Sequence, residues 1–167
     1  MSRGPFDGSS ASSALRSALG RFATGVTIVT CSDAAGSPVG LTVNSFSALS
    51  LEPPLVSWAL RMESPSLGLF ESARHFAVNV LTESQLELSK QFAAHAPDKF
   101  SLGRWSTGRH GAPVLAGALA VFECSTASTL RQGDHVLFVG SVLHSVAHAG
   151  APLVFQAGRY RRLGETL

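Results

Sequence analysis

Short runs in which β-branched and apolar residues alternate with polar ones dominate this chain, and they read as strands. Val26-Thr27-Ile28-Val29-Thr30 is the clearest. The turn-forming segment 33–38 follows it, so residues 39–43 return as its hairpin partner. Residues 55–60 and 76–81 are further strands. Residues 119–130 and 136–146 are two long ones, joined by Arg131-Gln132-Gly133-Asp134. Residues 152–155 and 159–163 close the chain around Gly158.

Helical spacing is confined to a few places. Leu15, Ala18, Leu19 and Phe22 make one apolar face, with Ser12 or Ser13 as the cap. Ser64-Pro65-Ser66 places a cap and then a proline at a helix start, predicting a short helix to Ser72. Thr82 with Gln85 is a capping-box pattern, and a helix continues to about Ala94. Residues 99–110 read as a polar loop containing Trp105. Strands outnumber helices and short turns join most neighbours. The expected class is therefore mainly β with peripheral helices, an antiparallel barrel rather than an alternating α/β sheet.

Composition sharpens this. Apolar residues make up 45% of 167, charged residues only 14%, and mean hydropathy is +0.22. So apolar a chain either buries surface against a partner or holds a large apolar ligand, and a symmetric homodimer is the simplest cause. A net charge of +2 without a Lys/Arg run gives no footprint for nucleic acid. No apolar run is long enough to span a membrane. Residues 1–13 read as a loose arm without a secretory core, residues 14–167 as one domain, and the expected location is the cytoplasm. Cys31 and Cys124 lie inside apolar runs and read as buried free thiols.

The chemistry is concentrated between two strands, in Thr42-Val43-Asn44-Ser45-Phe46-Ser47-Ala48-Leu49-Ser50-Leu51-Glu52-Pro53-Pro54. Small side chains allow a ligand close to the backbone, and hydroxyls and amides supply donors and acceptors. The segment suits the edge of a flat heteroaromatic ring, and equally suits a plain polar hairpin loop. No G-x-G-x-x-G follows a strand, and no P-loop, H-E-x-x-H or C-x-x-C occurs. His144 and His148 flank a strand end and read as ordinary solvated or packed histidines, so no metal site is expected. Asp134 and His135 are adjacent, and extended neighbours point to opposite faces. A hydrolase relay therefore has little support.

That segment resembles the flavin-contacting region of the short-chain flavin reductases, the reductase components of two-component flavin monooxygenases. Further matches follow in order. They are Leu19-Gly20-Arg21-Phe22-Ala23-Thr24-Gly25-Val26-Thr27, Phe76-Ala77-Val78-Asn79-Val80-Leu81, Pro97-Asp98-Lys99-Phe100, Gly133-Asp134-His135, Pro152-Leu153-Val154-Phe155 and Gly158-Arg159-Tyr160. Each alone is weak, but their joint order is specific and spans roughly residues 14–163.

The resemblance implies a split β-barrel of the FMN-binding type with Greek-key connections, and a homodimer. It implies an NAD(P)H-dependent flavin reductase that reduces FMN or FAD with NADH, NADPH being left open, and supplies reduced flavin by diffusion to a separate oxygenase. The alternative is a non-catalytic barrel that holds flavin or haem. By this resemblance Asn44, Ser45, Phe46, Ser47, Ala48, Ser50 and Leu51 line the ring. Ser57, Trp58 and Ala59 border it, with Phe76 and Asn79 as a further wall, although core packing accounts for Phe76 equally well. Arg61, Ser64 and Ser66, at a helix start, offer an anion seat for the flavin phosphate, against the plain reading of helix capping. His135 falls at the nicotinamide side and is the candidate catalytic residue. Phe155, Gln156, Ala157 and Gly158 match the segment that contacts the nucleotide, and Tyr160 reads equally as stacking near the ring or as a closing core aromatic. Arg159, Arg161 and Arg162 make a basic end that meets a 2′-phosphate or simply faces solvent.

Overall fold

The computed structural model describes residues 9–166. In chain order the elements are α1 (Ser9–Leu19), β1 (Thr24–Gly25), β2 (Thr27–Ser32), β3 (Pro38–Val43), β4 (Ser47–Leu51), β5 (Pro54–Arg61), α2 (Leu67–Ser72), β6 (His75–Val80) and α3 (Leu86–Ala93). The chain then forms β7 (Trp105–Thr107), β8 (Pro113–Leu115), β9 (Ala120–Gln132), β10 (His135–Ala147), β11 (Val154–Gln156) and β12 (Arg159–Arg161). Seven strands form one antiparallel sheet in the order β3-β2-β6-β9-β10-β5-β4, and β1-β11-β12 and β7-β8 make two small ones. The main sheet curls without closing, which makes this a split barrel.

Two apolar clusters fill it. One holds Val29, Val56, Trp58, Phe70, Phe76 and Phe138. The other holds Val26, Ile28, Leu81, Phe92 and Leu153. Burying each such side chain contributes about 1.5–3 kcal/mol. Trp58 stacks on Phe138 with centroids 4.5 Å apart and planes 12° from parallel, while Phe70 and Phe76 meet it edge-on. Two glycines permit close approach. A Cβ on Gly140 would stand 2.4 Å from Cζ of Phe76, and one on Gly40 would stand 2.7 Å from Cε1 of Phe92. Gly40 thus lets α3 lie directly on β3.

Thr82 and Gln85 form the expected capping box, although its first turn is 3-10 before α3 begins. Cys31 and Cys124 are free and buried, and burial pushes both thiols up to about 12. Other expectations need correction. The segment 47–51 is a paired edge strand, not only a loop. The polar stretch 99–110 contains β7, paired with β8. The first helix begins at Ser9, ahead of Ser12, and most of the expected arm lies outside the described residues. Its apolar face is not covered, since Leu19 and Phe22 are 66% and 78% exposed.

Candidate functional site

An open cleft of about 580 Å³ lies where β3 and β5 converge. Thr42, Asn44 and Ser45 line it from the end of β3, and Ala59 and Arg61 from the end of β5. Glu63 and Ser64 lie just beyond β5, His135 opens β10, and Ala93 and His95 close α3. Six residues singled out in the sequence thereby come together: Asn44, Ser45, Ala59, Arg61, Ser64 and His135.

Ser45 is held by the sheet itself. Its hydroxyl donates to the Ala59 carbonyl at 3.1 Å and accepts the Ala59 N–H at 3.0 Å. The Ser45 side chain is therefore already occupied, and what the segment offers a ligand here is backbone and the Asn44 amide. Ser47 likewise turns its hydroxyl onto the Ala48 carbonyl, the local use of a turn hydroxyl.

His135 sits opposite Arg61 in the β10–β5 pairing. Its Nδ1 lies 2.7 Å from Oδ1 of Asp134. The expectation that these neighbours diverge fails because Gly133, at φ 58°, bends the chain there into a tight turn. The hydrogen bond from His135 holds the Asp134 carboxyl below its ordinary value. An ionised carboxylate only accepts, so the shared proton belongs to Nδ1 and Nε2 is left for another partner.

Several expected site residues lie elsewhere. Trp58 and Phe76 are core aromatics, buried in the first cluster. Phe46 packs inward on Phe122, with centroids 5.5 Å apart. Asn79 is fully buried, and its amide serves the fold. It donates to the Ile28 carbonyl at 3.1 Å and accepts the Leu115 N–H at 2.8 Å, tying β6 to β2 and β8. Ala48, Ser50, Leu51 and Ser57 belong to the β4–β5 ladder beside the cleft rather than to its lining. Leu51 there is 91% exposed.

The anion seat is also altered. The Ser64 N–H donates to the Arg61 carbonyl, the Leu67 N–H to the Ser64 carbonyl and the Ser66 N–H to the Ser64 hydroxyl. The turn thus engages the N–H groups of Ser64, Ser66 and Leu67, and Ser66 is not in the cleft lining. The Arg61 guanidinium and the Ser64 hydroxyl proton remain as donors.

Phe155, Gln156, Ala157, Gly158 and Tyr160 form the β11–β12 hairpin, apart from the cleft lining. Phe155 and Tyr160 meet edge-to-face, with centroids 5.4 Å apart. Gln156 donates to the Arg21 carbonyl. Ala157 and Gly158 border a smaller cleft of about 390 Å³ with Arg16, Ser17 and Arg21. Tyr160 shares a 3.0 Å hydrogen bond with Ser89 of α3, whose carbonyl accepts from Thr42 in the main cleft. The hairpin therefore supports the cleft through α3. Arg162 stands 3.4 Å from Glu83, while Arg159 and Arg161 are exposed.

Sequence reading missed Ala93 and His95. Ala93 ends α3 and His95 follows it, in a run of small residues with no periodicity, and only the approach of α3 to Gly40 brings them to the cleft.

The family model described as "Flavin reductase like domain" matches residues 19–164. The chain is 47% identical over 129 residues to a "Probable flavin reductase" of Rhizobium meliloti (strain 1021), which covers 77% of this chain and 42% of that protein. It thus spans under half the length of that relative. It is 41% identical over 151 residues to the "Flavin-dependent monooxygenase, reductase subunit HsaB" of Mycobacterium tuberculosis (strain CDC 1551 / Oshkosh), covering 87% of this chain and 79% of that one. Among solved structures, the NADH:FAD oxidoreductase SgcE6 of Streptomyces globisporus C-1027, in complex with NAD and FAD fragments, superposes with a TM-score of 0.87 at 36% identity, covering 92% of this chain and 93% of that one.

Proposed function

This chain belongs to the flavin reductase family, and on that premise we propose that it oxidises NADH to NAD⁺ and reduces FMN or FAD. The carrying observation is the cleft that brings Asn44, Ser45, Ala59, Arg61, Ser64 and His135 into one open space. Its donors suit a flavin. Backbone and amide groups of Asn44–Ser45 face the space for a heteroaromatic edge, and Arg61 with Ser64 offers donors for a phosphate. A bound flavin supplies the hydride-accepting electronics; the protein's task is to bind and orient. His135, with its proton fixed on Nδ1 by Asp134, presents Nε2 to the nicotinamide side.

Reduced flavin then leaves for a separate oxygenase, a role that the monooxygenase subunit among the relatives supports by likeness. The uncovered apolar face of α1 and the exposed Leu49 and Leu51 of β4 support a homodimer. Two buried free thiols accord with a cytoplasmic location. No helix among the described residues is long and apolar enough to cross a membrane.

The test is direct: purified protein, NADH and, in turn, FMN, FAD and riboflavin, followed by loss of nicotinamide absorbance. Flavin-dependent loss is expected. A protein that retains flavin or haem yet never oxidises NADH would be a binding module instead.

A further inference from the structure

The cleft is lined by two ionisable side chains that no motif announced, Glu63 and His95. Arg61 and Glu63 carry opposite charges on the same wall, and the His135 imidazole already faces the Asp134 carboxylate. Of these, among the described residues only His135 and Asp134 stand within ion-pair distance, and Glu63 does not hold the Arg61 guanidinium. His95 has no such counterpart: among the described residues no carboxylate stands within ion-pair distance of it.

Its loop is fastened at both ends. The Ala94 N–H donates back to the Lys90 and Gln91 carbonyls, closing α3. The Gln91 side-chain amide donates to the Asp98 and Lys99 carbonyls, both at 3.0 Å. Lys99 Nζ donates to the Phe92 carbonyl at 3.1 Å and the Gly40 carbonyl at 3.4 Å, and its partial burial holds its pKa below the ordinary lysine value. The loop is thus tied to α3 and to β3, and His95 stands on it as an exposed side chain at the cleft. An imidazole there can donate from a ring N–H in either protonation state.

We infer that His95 contacts a phosphoryl group in this cleft, acting with Arg61 and the free hydroxyl proton of Ser64. This rests on reading the cleft as a flavin and nucleotide site. A flavin side chain and a nicotinamide nucleotide both carry such a group. The two donors beside Ser64 reach it from different elements, Arg61 from the end of β5 and His95 from beyond α3. That arrangement suits a tetrahedral anion better than a planar ring edge.

The test compares ligands with and without phosphate in wild type and in His95→Ala. Flavin-fluorescence titration with FMN and with riboflavin needs no turnover, so it reports even if the reductase reading fails. Steady-state KM values for NADH and for 1-benzyl-1,4-dihydronicotinamide, a phosphate-free hydride donor, form the second arm, measured at saturating riboflavin. Loss of a hydrogen bond to a charged group weakens binding about tenfold. A tenfold loss for FMN with riboflavin unchanged assigns the contact to the flavin phosphate. A rise in KM for NADH alone assigns it to the nucleotide phosphates. His95→Gln, which keeps an N–H donor, recovers much of the loss in either case. Equal effects on phosphorylated and phosphate-free ligands, or no effect on any, overturns the inference. Because His95 is exposed, both variants should melt with the wild type, and a lowered Tm would expose a purely structural role.

Discussion

Asp134 Oδ1 rests 2.7 Å from Nδ1 of His135, the residue that follows it in the chain. A carboxylate and an imidazole so placed fix one tautomer, and they do so at the edge of the candidate cleft. His135→Ala should raise KM for NADH about tenfold while leaving KM for flavin within about twofold. Asp134→Asn should act in the same direction and more weakly, because the asparagine no longer demands the proton on Nδ1. Parallel changes in both KM values would remove His135 from the nicotinamide side.

Trp58 stacks on Phe138, yet its indole N–H is buried without a partner. An unpaired buried donor already costs stability, so its removal offsets part of the lost packing. Trp58→Phe should therefore destabilise by under about 1.5 kcal/mol, against about 3–5 kcal/mol for Trp58→Ala. Urea melts of the two variants measure the gap. If Trp58→Phe cost as much as the alanine variant, a hidden partner for the indole would be indicated.

Gly140 faces Phe76, and a methyl group there would stand 2.4 Å from the ring and 3.1 Å from Cβ of Cys124. Gly140→Ala should cost about 1–3 kcal/mol by overpacking. At about 2–4 °C per kcal/mol for a chain of this size, calorimetry should record a visible drop in Tm. An unchanged Tm would mean that Phe76 moves aside freely.

His75 stacks on His110 with ring centroids 5.3 Å apart. Burial first, then His110 and Arg74, holds His75 below the ordinary imidazole range. The unfolded chain therefore takes up its proton first as pH falls through about 6.5, and the folded chain takes it later. Stability contributed by neutral His75 is present above that pH and declines through the window down to the lowered folded value. His75→Gln should shrink the Tm difference between about pH 7.5 and about pH 5. An undiminished difference would place the acid sensitivity elsewhere.

The strand pattern was legible because a β-branched run such as Val26–Thr30 fits a pleated sheet, even here, where the strand is buried on both faces. Thr82 and Gln85 were legible because a capping box is purely local. β4 escaped because a strand at the sheet edge, with exposed Leu49 and Leu51, has no buried face to impose alternation. β7 and β8 escaped for want of length. At the cleft, His135 was singled out through motif order, and Arg61 and Ser64 through the helix-start pattern of residues 61–66. His95 was not, since it reaches the cleft only through the Gly40–Phe92 approach, which no local pattern records. Trp58, Phe76 and Asn79, expected beside the ring with core packing an equal reading for Phe76, lie buried in the fold, and one shared reason hid their place from the sequence. Alternation tells which residues share a face, but not whether that face looks into a core or a cleft.

The double hydrogen bond from Ser45 to Ala59 has a consequence for how the barrel can be split at all. One hydroxyl stands in for a missing strand residue, so the chain can leave the sheet between β3 and β4 without stranding the amide of Ala59. The opening is therefore stitched rather than frayed, and an arriving molecule finds a floor that is already set.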